Sequence, residues 1–157
     1  SVECLDAHSN QWSSRRDMPR ARFGAAICVL CAKLSPALDP YMAMAGKSAD
    51  GQRVFLLGGV DEKTGKRLSS VDCYEPATDT WSTLPAMSSA RDFLAACCFD
   101  GKLFALGGCD DRGRPMRTVE CFDFRANKWT AAPMMTERRS HFQAGEKANS
   151  SHGCGVN

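Results

Sequence analysis

The feature that most constrains this chain is a segment that occurs three times without a gap. The copies read VECLDAHSNQW at 2–12, VDCYEPATDTW at 71–81 and VECFDFRANKW at 119–129. In each copy a valine precedes a tryptophan by ten residues, a methionine follows the tryptophan by six, and an arginine follows it by ten. Four residue types held in register over three copies indicate a repeated structural unit rather than a single active site.

An apolar run that ends in a glycine pair recurs in the same frame. It reads VFLLGGVDE at 54–62 and LFALGGCDD at 103–111. One such run alone would invite comparison with a phosphate-binding loop, but recurrence favours a structural role. We therefore expect each glycine pair to end a strand at a place where neighbouring backbones leave no room for a side chain.

The last two repeat tryptophans are 48 residues apart, and within this length four segments are predicted to form antiparallel strands. FLAACCF and KLFALGG flank the dipeptide Asp100-Gly101, which supplies the positive φ angles of a two-residue hairpin turn. TVECFDF and KWTAAPM give the third and fourth strands. The third strand is apolar on both faces, so the sheet must be covered on both sides, as happens when small sheets stack radially in a propeller.

These segments resemble kelch repeats, which implies an all-β fold: a partial kelch β-propeller made of four-stranded antiparallel blades. The first two repeat tryptophans are 69 residues apart instead of 48, and most of the excess falls between Cys28 and Asp50. The expected units are the last strands of a truncated blade at 1–22, a blade with a long inserted loop at 29–50 within 22–87, a blade at 91–135, and the start of a further blade with a disordered tail at 139–157. Closed propellers have about 4–8 blades, so this chain is not expected to close a ring alone.

The sequence is most similar to the kelch domains of BTB-kelch adaptors, which bring substrates to cullin ubiquitin ligases. The resemblance implies a non-catalytic protein-protein interaction module with a protein or peptide partner, which in that context would be a ubiquitination substrate. Two alternatives stay open: a galactose-oxidase-like propeller enzyme, and a scaffold that binds actin or the cytoskeleton. No cofactor and no catalytic residue is predicted, because no histidine recurs with a serine or carboxylate partner.

The candidate partner-binding residues come from the repeat arginines and from the loops that follow the glycine pairs. Each arginine either lines a substrate-binding face or donates hydrogen bonds to backbone carbonyls between blades, and the sequence leaves both interpretations open. The loops at 60–70 and 109–118 differ while the strands around them match, which is typical of recognition surfaces on a fixed scaffold. The predicted residues are Arg22, Arg91, Arg139, Asp61, Lys63, Asp110, Asp111, Arg112 and Arg114.

Composition limits the other classes of function. A net charge of +2 gives no electrostatic case for nucleic acid, and no apolar stretch reaches the 18 residues of a membrane span. The sequence AGKS at 45–48 lacks the first glycine of a nucleotide-binding loop, because position 41 is tyrosine. No nucleic-acid or membrane partner is therefore predicted.

Nine cysteines are present, and a reduced, cytoplasmic setting is the expected context. Cys28 and Cys31 form a Cys-x-x-Cys pair, but no second pair follows at the spacing of a zinc site, so no metal is predicted. Cys109 lies near Arg112 and Arg114, whose charges would make an exposed thiol more reactive. An unreactive loop cysteine is the favoured interpretation there.

Overall fold

The computed structural model describes residues 1–31, 52–146 and 154–156, and within these ranges it forms only strands, turns and loops. None of the described elements is a helix that is long and apolar enough to cross a membrane. The strands are β1 (Val2–Asp6), β2 (Gln11–Arg15), β3 (Arg22–Phe23), β4 (Ala26–Cys31), β5 (Gln52–Leu57), β6 (Val60–Asp61), β7 (Val71–Glu75), β8 (Thr80–Leu84), β9 (Ala95–Phe99), β10 (Lys102–Leu106), β11 (Val119–Asp123), β12 (Lys128–Ala132), β13 (Ala144–Glu146) and β14 (Cys154–Val156).

Two four-stranded sheets form the centre of the described structure. Strands β4, β5, β7 and β8 pair in that order and make the first blade, and β9 to β12 pair in chain order and make the second blade. Every neighbouring pair is antiparallel. The prediction of a partial propeller made of four-stranded antiparallel blades is confirmed.

The glycine pairs end β5 and β10 where other backbones come close, as predicted. Gly58 and Gly107 adopt φ angles of +61° and +56°, and a Cβ atom on them would lie 2.3 Å and 2.4 Å from the carbonyl oxygens of Arg91 and Arg139. Contacts this short exclude any side chain. The pair therefore lets the chain turn where one blade meets the start of the next.

The turn between β9 and β10 also follows from its sequence. Asp100 and Gly101 have φ angles of +46° and +66°, and the flanking residues Phe99 and Lys102 are paired in the ladder. Two successive positive φ angles match the twist of antiparallel strands, which is why Asp-Gly is favoured in this position.

The blades pack face to face through one continuous apolar core. Cys28 on β4 and Cys98 on β9 lie in it beside Phe55, Phe122 and Phe124. The rings of Phe55 and Phe124 are 5.4 Å apart, so the contact joins the two blades. All five residues of β7 and four of the five of β11 are buried, as their apolar residues on both faces predict, whereas Ile27 and Val29 on β4 are 65% and 53% exposed.

The repeat tryptophans make a recurring hydrogen bond between units. The indole N–H of Trp81 donates to the carbonyl of Arg16 at 3.0 Å, and that of Trp129 donates to the carbonyl of Pro85 at 2.7 Å. Arg16 and Pro85 each lie four residues after the tryptophan of the preceding unit. The tryptophan of the first copy, Trp12, is 66% exposed.

The structure adds strands at two of the sequence-based boundaries. Strand β4 pairs with β5 as far as Cys31, so the first residues of the loop predicted at 29–50 belong to a strand; the rest of that loop, with AGKS at 45–48, lies outside the described residues. In the tail, which is predicted to be disordered, β13 pairs with β14 in antiparallel register. That pairing depends on backbone hydrogen bonds that composition does not reveal.

Candidate partner-binding face

The loops that follow the two glycine pairs lie side by side at one end of the blades. Arg67 in the first loop donates from Nε to Oδ1 of Asp92 at 2.7 Å, and Asp92 accepts a backbone hydrogen bond from Cys109 in the second loop at 2.8 Å. A Cβ atom on Gly113 would lie 3.9 Å from Nη2 of Arg67. We call residues 60–70 and 109–118 together the loop face.

An aspartate at the same repeat position gives each loop its shape. Oδ1 of Asp61 accepts the N–H groups of Lys63 and Thr64 at 2.9 Å and 2.8 Å. Oδ1 of Asp110 accepts those of Arg112 and Arg114 at 2.9 Å and 3.0 Å. These N–H donors favour the ionised carboxylate, so they lower the pKa of Asp61 and lower the pKa of Asp110 to about 2. Both aspartates stay charged and organise their loops.

A cleft of about 670 Å³ opens between the first loop and the segment that precedes β3. The N–H of Glu62 donates to the carbonyl of Ala21 at 3.1 Å, which holds the two walls together. We call this space the basic cleft. It is lined by Met18, Pro19, Arg20, Ala21, Asp61, Lys63, Thr64, Lys66, Arg67 and Leu68.

Positive charge predominates in the basic cleft, which has four cationic side chains and one carboxylate. Nε of Arg20 lies 3.5 Å from Oδ2 of Asp61, and Arg67 is fixed by Asp92, a hydrogen bond that raises the pKa of Arg67. Lys63 and Lys66 are exposed and form no ion pair within the described part of the chain. Two anchored guanidinium groups and two unpaired ammonium groups therefore face the same space.

The second loop is more nearly neutral. Arg114 binds Oδ2 of Asp110 through Nε at 3.0 Å and Nη2 at 2.8 Å, which compensates both charges. Asp111 and Arg112 are exposed. Of the predicted residues, the structure thus brings Asp61, Lys63, Asp110, Asp111, Arg112 and Arg114 together on the loop face.

The repeat arginines are different, because two of the three are buried. Nη1 of Arg91 donates to the carbonyl of Gly107 at 3.0 Å, Nη2 donates to Oε1 of Glu120 at 2.6 Å, and the residue is 0% exposed. Arg22 makes the equivalent contacts with the carbonyl of Gly58 and the carboxylate of Asp72.

Arg22 and Arg91 therefore donate hydrogen bonds to backbone carbonyls, which is the second of the two interpretations above. Their buried side chains do not lie on a partner-binding surface, and this corrects the prediction for these two residues. The carbonyls and the carboxylate belong to the same blade as the arginine, so the bond is within a blade rather than between blades. The side chain of Arg139 is 39% exposed, and its one ion pair among the described residues is with Glu137 at 3.4 Å. It stays a candidate for partner binding.

Sequence reasoning missed both the partners of the arginines and most of the basic cleft. Asp72 and Glu120 occupy the position between valine and cysteine in the third strand, and Glu3 holds it in the first copy. An acid that recurs together with an arginine was the available signal for a buried pair. Arg20 and Lys66 carry no such signal, because the position of Arg20 is held by Ser89 and Glu137 in the other copies, and Lys66 lies in a loop that differs between units.

The cysteines are mostly part of the core. Cys109 is 6% exposed, so it does not present a thiol at the surface of its loop. Cys97 is disulfide-bonded, which departs from the expectation of reduced thiols, whereas Cys4, Cys73 and Cys121 are thiols. Among the described residues no group of three or more potential ligands is placed to hold a metal ion.

Comparison with known proteins places these blades in a family. The model of the kelch motif matches residues 42–88 and 90–136. Kelch-like protein 28 of Mus musculus is 30% identical over 116 residues, which are 70% of this chain and 17% of that protein. Kelch repeat and BTB domain-containing protein 13 of Homo sapiens is 31% identical over 71 residues, 45% of this chain and 16% of that protein. The chain thus spans less than a fifth of these relatives.

A plant relative shows the same repeat in another context. A putative F-box/kelch-repeat protein of Arabidopsis thaliana is 35% identical over 75 residues, 47% of this chain and 25% of that protein. These relatives share with the chain the kelch motif that matches its two blades. With its two matched motifs covering more than half of its length, the chain belongs to the kelch-repeat family.

Proposed function

We propose that the chain forms part of a propeller that binds an acidic segment of a protein partner in the basic cleft. The observation that carries the proposal is the convergence of Arg20, Lys63, Lys66 and Arg67 on one concave space. Arginine and lysine recognise carboxylates through charge-assisted hydrogen bonds. Asp61 and Asp92 already hold the guanidinium groups of Arg20 and Arg67, so binding would order fewer side chains there.

The two lysines are expected to set the strength and speed of binding. They have no compensating carboxylate, so their field attracts an acidic partner before contact. Such charges act mainly on the association rate, and salt weakens their effect. Met18 and Leu68 in the lining give the partner an apolar surface beside the charges.

Fluorescence anisotropy with labelled oligo-glutamate and oligo-lysine peptides tests the proposal on the full chain. We expect the oligo-glutamate to bind, and Lys63→Glu combined with Lys66→Glu to weaken binding at least about tenfold, or about 1.4 kcal/mol. Lys128→Glu is the matched control, because Lys128 is an exposed lysine at the start of β12, outside the cleft. Equal losses in both variants, or tighter binding of a single-stranded oligonucleotide than of oligo-glutamate, would refute the proposal.

We further propose that the bound partner is a substrate of a cullin ubiquitin ligase. The support is similarity to kelch-like proteins and to a protein whose name includes a BTB domain. The full-length protein should then co-purify with a cullin, and the Lys63→Glu, Lys66→Glu variant should retain the cullin while losing the partner. Co-purification of the partner without any cullin would favour the scaffold alternative instead.

A further inference from the structure

Two cysteine thiols meet where the first strands of the two blades lie side by side. Sγ of Cys28 on β4 and Sγ of Cys98 on β9 are 3.1 Å apart, although 70 residues separate them in sequence. Both residues belong to the core cluster that joins the blades, together with Ala26, Leu30 and Ala96. The strands belong to different sheets, so the sulfur contact crosses the boundary between blades.

We propose that Cys28 and Cys98 are an oxidation site at which hydrogen peroxide forms a disulfide that links the two blades. One thiolate attacks the peroxide, becomes a sulfenic acid and releases hydroxide. The second thiol then displaces that hydroxyl group as water and forms the S–S bond. In sum, two thiols and one hydrogen peroxide give one disulfide and two water molecules, so the peroxide receives both electrons.

The geometry of the pair suits this reaction. An S–S bond is about 2.05 Å long, so the sulfur atoms need to approach by roughly an ångström from their 3.1 Å separation. The inference rests on the contact between the sulfurs, not on either thiol alone.

Access favours a small oxidant. Cys28 and Cys98 are 8% and 9% exposed, so each residue keeps a small accessible area. Cys98 lies two residues before Asp100, in the exposed turn between β9 and β10. Hydrogen peroxide is small enough to reach such an area, whereas a bulky alkylating reagent is expected to react slowly.

Other buried thiols of the blades are poorer sites. Burial raises the pKa of Cys73 to about 11 and also raises the pKa of Cys121, which keeps both protonated at neutral pH. The thiolate is the reactive form and burial acts in the same direction on any buried thiol, so the contact between two sulfur atoms is what distinguishes Cys28 and Cys98 from these cysteines. Cys121 is therefore a suitable control, as it lies at a comparable depth of 8% exposure.

The experiment is peptide mapping of the full 157-residue chain after treatment with hydrogen peroxide and alkylation of the remaining thiols. Trypsin should release residues 23–33 and 92–102 as a linked pair that dithiothreitol separates. Each peptide also contains a second cysteine, Cys31 or Cys97, and Cys97 is already disulfide-bonded. The untreated chain is therefore mapped in parallel, and the variants Cys28→Ala and Cys98→Ala decide whether the peroxide-dependent link joins these two residues. We expect either variant to abolish the link and Cys121→Ala to preserve it.

Two results would overturn the proposal: a linked pair that persists in either single variant, or peptides that gain oxygen or stay unmodified without linking. Thermal denaturation gives an independent measurement that does not require the variants to fold. A cross-link across 70 residues should raise the midpoint of the unmutated chain by about 5–10 °C. An unchanged midpoint after peroxide would also contradict the inference.

Discussion

Strands β7 and β1 occupy the same position in the repeat and have nearly the same sequence, VDCYE and VECLD, yet their environments are opposite. All five residues of β7 are buried, whereas β1 has one half-buried residue and four exposed ones. β7 has a paired strand on each side within a complete blade, while β1 pairs only with β2 in the described structure. In repeat folds burial is thus a property of neighbouring elements as much as of the sequence itself.

The largest difference in stability between two matching repeat positions is expected for the arginines Arg91 and Arg139. Replacing Arg91 by alanine leaves the carboxylate of Glu120, which is 6% exposed as a side chain, without its charged partner. Breaking a buried pair in this way costs about 3–5 kcal/mol. Arg139→Ala removes only a half-exposed contact with Glu137 and should cost less than about 0.5 kcal/mol.

Urea denaturation of the two variants beside the parent chain measures the difference. Both substitutions replace arginine by alanine at the same repeat position, so a difference in stability between the two variants does not come from the backbone preference of the new residue. Similar losses of stability in Arg91→Ala and Arg139→Ala would mean that the buried pair does not hold the second blade together.

The sequence predicts those features of the fold that are determined within a single repeat unit. The strand order, the Asp100-Gly101 turn and the role of the glycine pairs all follow from patterns within one unit. The ion pair of Arg91 with Glu120 joins residues 29 positions apart, and only the fold places them in contact. The basic cleft is harder still to foresee, because Arg20 and Lys66 lie in two irregular segments whose approach depends on the β3–β6 pairing.

An intermediate effect is expected at the valine that begins each third strand. Val71 is 0% exposed in the core, whereas Val2 is only half-buried. Val71→Ala removes two buried methyl groups and leaves a cavity, so it should lower the free energy of unfolding by about 2–3 kcal/mol. Val2→Ala should cost under about 1 kcal/mol. If Val2→Ala lowers the free energy of unfolding by more than about 1 kcal/mol, then β1 is buried in solution by something outside the described residues.

The smallest effect concerns the hydrogen bond that each unit makes with the one before it. Trp129→Phe keeps most of the buried ring but removes the N–H that donates to the carbonyl of Pro85 at 2.7 Å. That carbonyl would lose a partner near the core, at a cost of about 1 kcal/mol. Trp12→Phe, at a side chain that is 66% exposed, should change stability by less than about 0.3 kcal/mol. If both variants lose the same stability, the tryptophan acts through its ring alone, and the recurring hydrogen bond does not couple neighbouring units.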